Sequence, residues 1–155
     1  MNEEIMDDEQ TIDYYLKLAW QSVANKYNQI AARYDLTQAT GYILINIRRE
    51  GIPVSEIANL LGVKTTSLSR ILNNLQASGL IYREVNADDK RSVKIFLTPL
   101  GVEKRELAKQ VVRDFNDHLQ ANMTAAERNV LIGLLERISC LASQHEPANY
   151  QLEEI

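Results

Sequence analysis

Two short amphipathic segments, each followed by a glycine, constrain the fold of this chain more than any other feature. The spacing of apolar residues predicts a helix from about Val54 to Leu61 and another from about Thr65 to Ser78. Gly62 follows the first helix and Gly79 follows the second. Because glycine accepts the positive φ of a C-terminal cap, both positions are expected helix ends. We expect the two helices to cross at a steep angle over a small core that includes Ile57, Ala58, Val63, Leu68 and Ile71.

A β-hairpin is predicted directly after the second helix. Residues 80–85 and 92–97 both have the composition of strands, and the polar segment 86–90 between them is typical of a turn. Two short helices followed by a hairpin with a charged tip describe a winged helix-turn-helix. The hairpin would be its wing.

The rest of the chain is predicted to be helical, so the fold class is mainly α. Glycine and proline together make up only 9 of 155 residues, which favours long helices over a turn-rich β architecture. N-cap signals and apolar spacing predict four further helices, at Thr11 to about Tyr34, from Thr37 to the segment Glu50–Pro53, from Thr98–Pro99 to about Asn122, and from the capping box Thr124–Glu127 through Leu141.

Charge is distributed unevenly along the chain. The formal net charge is −4, which by itself argues against a nucleic-acid partner. Residues 48–105, however, hold ten Lys or Arg against six acids, a balance of +4, and leave seven basic and fifteen acidic residues for the two ends. A basic middle with acidic ends suits contact with a polyanion, although chance variation on a solvated surface would give the same count.

The second short helix carries the strongest functional signal. Its segment from Lys64 to Ser78 contains no acidic residue. If Leu68, Ile71, Leu72 and Leu75 are buried, the outward face presents hydroxyls, amides and cations that can bind base edges and phosphates. The predicted DNA contacts are Lys64, Thr65, Thr66, Ser67, Ser69, Arg70, Asn73 and Asn74. The alternatives are an ordinary solvated helix surface and a winged helix that binds only protein.

This region resembles the MarR family of bacterial transcriptional regulators, and the resemblance covers most of the chain. It is carried by Ser69–Leu75, by Ser78–Arg83, and by Asp89–Ser92 followed by Phe96–Gly101. The most specific element is Asp-x-Arg in the wing, followed by Leu-Thr-x-x-Gly. The resemblance implies a regulator, most simply a repressor, that binds palindromic duplex DNA.

Roles in the wing follow from the resemblance. It implies that Arg91 at the wing tip enters the minor groove and that Asp89 stabilises the wing. Lys90 and Lys94 are also predicted DNA contacts. An arginine on a hairpin tip is attracted to the negative potential of a narrow minor groove. Arg91 paired with Asp88 or Asp89 within the turn is the alternative, and the two roles are compatible.

The resemblance also implies a homodimer formed by the terminal helices. Predicted boundaries are a flexible acidic tail at 1–10, a dimerisation helix at 11–36, the DNA-binding domain at 37–101, dimerisation helices at 102–146 and a frayed tail at 147–155. The apolar stripes from Ile12 to Ile30 and from Val130 to Leu141 need a partner, or else pack within the monomer.

The resemblance further implies that a small molecule, commonly a phenolic or aromatic acid, binds between the dimerisation helices and the DNA-binding domain and changes the affinity for DNA. Six of the ten aromatic residues fall in the first two predicted helices. A ligand pocket lined by Tyr15, Trp20, Tyr27 and Tyr42 is therefore one interpretation, and ordinary helix and dimer packing is the other.

Several other functions are not expected. Cys140 is the single cysteine and is predicted to be a buried small hydrophobe rather than a redox switch. His118, with Asp114 and Asp117 nearby, is read as a solvated helix surface, so neither a metal nor another cofactor is expected. Catalytic motifs are absent from the sequence. The acidic start and the lack of a membrane-spanning apolar run predict a cytoplasmic protein.

Overall fold

The computed structural model describes residues 11–85, 87, 89 and 92–148. Those residues form six α-helices and three short strands, in the order α1 Ile12–Ala31, a 3-10 turn Ala32–Tyr34, α2 Gln38–Asn46, β1 Ile52–Pro53, α3 Val54–Leu61, α4 Thr65–Ala77, β2 Ile81–Val85, β3 Val93–Leu97, α5 Pro99–Ala121 and α6 Ala125–Gln144. The prediction of a mainly helical winged helix-turn-helix is confirmed.

The chain divides into two compact units, Met1–Arg113 and Asp114–Ile155. The core of the first unit consists of thirteen buried apolar residues between Leu36 and Ile95, contributed by α2, α3, α4 and the sheet. The helix-turn-helix and its wing therefore share one core, in which Leu44, Ile52, Leu68 and Ile95 are completely buried.

The turn between α3 and α4 forms as its glycine predicts. Gly62 has φ +63°, and the amide of Val63 donates a hydrogen bond to the carbonyl of Ala58 across 3.1 Å. The same arrangement ends α4, where Gly79 has φ +71° and the amide of Leu80 donates to the carbonyl of Leu75 across 3.0 Å. These bonds satisfy carbonyls at the helix ends that would otherwise lack partners.

Three sequence expectations about this region need correction. Val63 was expected in the core, but 37% of its surface is exposed because it follows the turn rather than lying within it. Helix α2 ends at Asn46, several residues before Glu50, since Ile47 adopts extended backbone angles and is itself buried. Ile71, expected on the buried face of α4, is only partly buried at the edge of the core.

The sheet contains a strand that the sequence analysis missed. β1 pairs antiparallel with β3, with Ile52 opposite Ile95, so the strand order is β1-β3-β2. This strand has two residues, one of them Pro53, which cannot donate a backbone hydrogen bond and is confined to sheet edges. It places the predicted hairpin strand β3 in the centre of the sheet.

Threonine caps begin helices α1, α2 and α6. Thr11 accepts a hydrogen bond from the amide of Tyr14, while Thr37 and Thr124 form capping boxes with Thr40 and Glu127. At the start of α6 the amide of Thr124 donates to Oε2 of Glu127 across 2.8 Å. This backbone hydrogen bond and one from the Thr124 hydroxyl lower the pKa of Glu127.

Candidate nucleic-acid interface

Helix α4 separates its buried side from its polar side. Leu68, Leu72 and Leu75 are buried in the core of the winged helix, with at most 3% of their surface exposed. The residues predicted to contact DNA on this helix are all exposed, namely Lys64, Thr65, Thr66, Ser67, Ser69, Arg70, Asn73 and Asn74. The structure thus presents together on one element the hydroxyls, amides and cations that the sequence analysis singled out.

The N-terminus of α4 differs from those of α1, α2 and α6. Its cap residue is Lys64, and among the described side chains none caps the first turn. The first turn of α4 contains no acid. Because the N-terminus of a helix carries partial positive charge, a basic cap residue and a first turn without an acid suit a backbone phosphate.

Two of the candidate contacts already have partners within the protein. The hydroxyl of Ser69 donates to the carbonyl of Thr65 across 2.9 Å. The guanidinium of Arg83 on β2 donates from Nη2 to Oδ1 of Asn73 across 2.8 Å. Sequence reasoning did not single out Arg83, since nothing in its position along the chain indicates that β2 reaches α4 at Asn73.

The wing is described in part. Lys90 and Arg91, the predicted tip contacts, lie outside the described residues, as does Asp88. Asp89 is exposed, and its carbonyl accepts a hydrogen bond from the amide of Ser92 across 2.9 Å, which is a backbone contribution to the turn. The role predicted for the Asp89 side chain stays a prediction.

Lys94 occupies a different setting from the cations of α4. It lies on the central strand β3, half-buried, with Glu84 as its cross-strand neighbour on β2. Opposite charges facing each other on adjacent strands attract weakly. Lys94 is therefore paired in register with an acidic residue of its own sheet, and its predicted DNA contact stays a prediction.

A second candidate site is an apolar cavity of about 250 Å³ in the first unit. Trp20, Tyr27 and Tyr42 line it, as expected from sequence, but Tyr15 does not. Tyr15 instead meets Tyr14 edge-to-face and keeps 58% of its surface exposed. The remaining lining residues are Ala31, Tyr34, Leu36, Thr37, Gln38, Gly41, Ile45, Leu107, Ala108, Val111 and Val112.

The contribution of α5 to this cavity was missed by sequence reasoning. Leu107, Ala108 and Val111 stand at helical spacing, which predicts one apolar face, but spacing does not show which element that face meets. The structure brings Ala108 against α2, where a Cβ added to Gly41 would lie 3.7 Å from the Cβ of Ala108.

Cys140 does not fit the expectation of a buried residue. Its side chain is exposed on α6, a helix in which no described residue is buried. Within the described ranges, no three His, Cys, Asp or Glu side chains are arranged to hold a metal ion. No helix among the described residues is long and apolar enough to cross a membrane.

Comparisons with known proteins agree with the geometry. A sequence profile described as MarR family matches residues 34–92. The multiple antibiotic resistance protein MarR of Salmonella typhimurium is 34% identical over 113 residues, which cover 72% of this chain and 78% of that protein. A putative transcriptional regulatory protein for the hcr operon of Thauera aromatica is 31% identical over 109 residues, 70% of this chain but only 65% of that protein, just under two thirds of its length.

Solved structures show the same fold. A crystal structure of a mutant MarR from E. coli, complexed with operator DNA, matches with a TM-score of 0.77 and 28% identity, covering 87% of this chain and 98% of that one. Because the named relatives are transcriptional regulators, the expectation that this chain is not an enzyme is confirmed. With a winged helix-turn-helix fold, a polar outward face on α4 and these relatives, the chain belongs to the MarR family of transcriptional regulators.

Proposed function

We propose that this protein is a homodimeric, cytoplasmic repressor that binds palindromic duplex DNA, with α4 in the major groove and the wing in the minor groove. The observation that carries the proposal is the outward face of α4, which is exposed and contains no acidic residue. No side chain in the described part of the chain caps the N-terminus of this helix. The operator complex of the similar E. coli protein supports the same use of this fold.

Direct reading of bases falls to exposed side chains of α4 that carry paired hydrogen-bonding groups. Arg70 can donate two hydrogen bonds to a guanine edge, and Asn74 can bind an adenine edge. Lys64, Thr65, Thr66 and Ser67 surround the open first turn, where phosphate contacts would fix the helix in the groove. Ser69 and Asn73 would also contact DNA, with their side chains oriented by the hydrogen bonds to Thr65 and Arg83.

The dimer is proposed from the exposed apolar surface of the terminal helices. In α6, six large aliphatic side chains have between 40% and 62% of their surface exposed, namely Val130, Leu131, Ile132, Leu134, Leu135 and Leu141. Ile12, Leu18 and Trp20 in α1 are similarly exposed. A monomer with this surface would be prone to associate. A second copy of this chain is the partner that also matches two-fold symmetric DNA.

We assign the segments accordingly, with residues 11–36 and 102–146 in dimerisation and residues 37–101 in DNA binding. In such a dimer the two α4 helices would stand about 34 Å apart, on successive turns of the major groove. The cavity lined by Trp20, Tyr27 and Tyr42 is where a small aromatic ligand would bind and change the affinity for DNA, because it adjoins both a dimerisation helix and α2 of the DNA-binding domain.

A winged helix that binds only protein is the rival function. Selection of bound duplexes from a random library separates the two, with the affinity of the selected site then measured by fluorescence anisotropy at two salt concentrations. We expect a palindrome with half-sites one helical turn apart and binding that weakens steeply with salt, because phosphate contacts release counterions. Absence of enrichment, or binding insensitive to salt, would favour the rival.

A further inference from the structure

The cavity in the first unit is built from four segments that differ in sequence but share one chemical property. Helix α1 contributes two aromatic rings, the segment through Leu36 and helix α2 contribute two more, and α5 contributes aliphatic side chains. Within the ranges that the structure describes, none of the fourteen lining residues is charged. The wall is therefore aromatic and aliphatic, with a few groups that form neutral hydrogen bonds.

The polar groups of the wall suit an uncharged ligand. Tyr34 and Tyr42 have phenolic hydroxyls, Gln38 has a side-chain amide, and Trp20 has an indole N–H. Such groups can donate to or accept from an amide, a phenol or a ketone. They offer no formal charge to a carboxylate or ammonium group held against the apolar wall, and a charge removed from water without a partner costs far more than a neutral polar group.

Lys104 is a cation that contacts a lining residue, and its ammonium group is already engaged. Lys104 is half-buried, and its Nζ donates a hydrogen bond to the backbone carbonyl of Tyr34 across 2.8 Å. Lys104 is not among the lining residues. A carboxylate in the cavity would have to draw this ammonium group away from the carbonyl, which would then lose its partner.

The volume of the cavity sets the size of the ligand. An apolar cavity of about 150 Å³ is large enough for one benzene ring. At about 250 Å³, this cavity has room for a ring with a polar substituent or for two fused rings.

We propose that this cavity selects an uncharged aromatic molecule and discriminates against the carboxylate of the same shape. The proposal rests on the ligand modulation proposed above, and it names the chemical class that this particular wall would admit.

Three probes of nearly the same shape test the proposal at neutral pH, namely benzamide, which is neutral, benzoate, an anion, and benzamidinium, a cation. Trp20 lies in the wall and is the single tryptophan of the chain, so its fluorescence reports occupancy directly. We expect benzamide to bind about 10- to 100-fold more tightly than either ion. Benzoate or benzamidinium binding as tightly as benzamide would overturn the proposal, and so would the failure of benzamide to bind.

Two valine variants on α5 test whether benzamide binds in this cavity. Val111→Phe fills the wall, whereas Val102→Phe makes the same change at an exposed position on the same helix that does not line the cavity. We expect only Val111→Phe to abolish the benzamide response, with Val111→Leu as the smaller replacement if thermal unfolding shows the phenylalanine variant to be unstable. An unchanged response in a folded Val111 variant would move the site elsewhere and overturn the proposal.

Measuring affinity for the selected duplex in the same samples keeps the two proposals separable. If benzamide binds preferentially but leaves DNA affinity unchanged, ligand modulation fails and the selectivity of the cavity stands. If benzoate binds best and lowers DNA affinity, modulation stands and the proposed selectivity fails. In that second case Lys104→Met would show whether the ammonium group had been recruited.

Discussion

Arg83 on β2 holds Asn73 on α4 through a hydrogen bond of 2.8 Å between Nη2 and Oδ1, so the wing is tied to the helix that would read DNA. Both side chains are exposed, and the bond joins elements that are ten residues apart in sequence. The bond uses the side-chain oxygen of Asn73, so the side-chain NH2 group can donate hydrogen bonds to other partners. Asn73 therefore has a defined orientation before DNA arrives.

Removing this contact should weaken DNA binding without unfolding the protein. We expect Arg83→Met to cost about 0.5–1.5 kcal/mol of binding free energy, because Asn73 loses the partner that orients it. A double-mutant cycle with Asn73→Ala, measured by anisotropy on the selected duplex, tests the mechanism. If the two effects simply add, the residues act independently and the positioning role is wrong.

Arg70 is the side chain of α4 best suited to read a base. We predict that Arg70→Ala weakens binding to the selected site by about 1–3 kcal/mol and relaxes the sequence preference at one position of each half-site. Arg33→Ala removes the same charge from an exposed position in the 3-10 turn, outside the proposed interface. Equal losses in the two variants would indicate a general charge effect rather than a base contact.

Arg91 is predicted from sequence to act at the tip of the wing. We expect Arg91→Ala to lower DNA affinity and to leave the dimer intact, because Arg91 belongs to the proposed DNA-binding segment 37–101 and not to a dimerisation helix. Affinity by anisotropy and mass by sedimentation, on the same preparation, give the two readouts. Wild-type affinity in this variant would remove Arg91 from the interface.

The Leu-Thr-x-x-Gly motif that marks the resemblance has a structural explanation. Thr98 joins two elements, since its hydroxyl donates to the carbonyl of Gly79 across 2.6 Å and accepts from the amide of Gly101 across 3.0 Å. A Cβ on Gly101 would overlap the carbonyl oxygen of Leu80. Glycine is thus required where α5 starts against the end of α4.

We accordingly predict that Gly101→Ala destabilises the fold by roughly 2–3 kcal/mol, because the backbone at Leu80 has to shift. Gly41→Ala is the matched control, since a Cβ there lies 3.7 Å from the Cβ of Ala108, an ordinary van der Waals distance, and alanine in a helix interior is neutral to about 1 kcal/mol more stable than glycine. Urea unfolding of both variants gives the comparison. Wild-type stability in Gly101→Ala would contradict the overlap.

The sequence predicted those parts of the fold that depend on local chemistry. The glycine caps after α3 and α4 and the threonine caps of α2 and α6 each involve residues within a few positions of one another, so their residue types suffice. Pairing between distant segments was not predictable in this way. Strand β1 forms only because Ile52 meets Ile95, and a two-residue strand has no pattern of its own.

The same distinction between local chemistry and contacts of distant segments explains which parts of the candidate sites were predictable. The polar face of α4 follows from helical spacing once Leu68, Leu72 and Leu75 are assigned to the core. Cys140 was wrongly predicted to be buried. An apolar stripe indicates that one face of a helix packs against something, but it does not show that the same chain provides the contact. The contributions of α5 to the cavity and of Arg83 to α4 each depend on contacts between separate elements, which composition and periodicity do not specify.

The dimer is tested on α6, where Leu134 has half of its surface exposed. We predict that Leu134→Glu yields a monomer, because a carboxylate placed in an apolar interface loses its hydration without gaining a partner. Val63→Glu makes the same kind of change at an exposed position of the helix-turn-helix and should preserve a species of twice the 17.7 kDa of one chain in sedimentation equilibrium. The monomeric variant should also lose binding to the full palindrome, since each half-site alone supplies only part of the contacts. A wild-type protein that sediments as a monomer, or an undiminished dimer in Leu134→Glu, would show that the exposed face of α6 has another role.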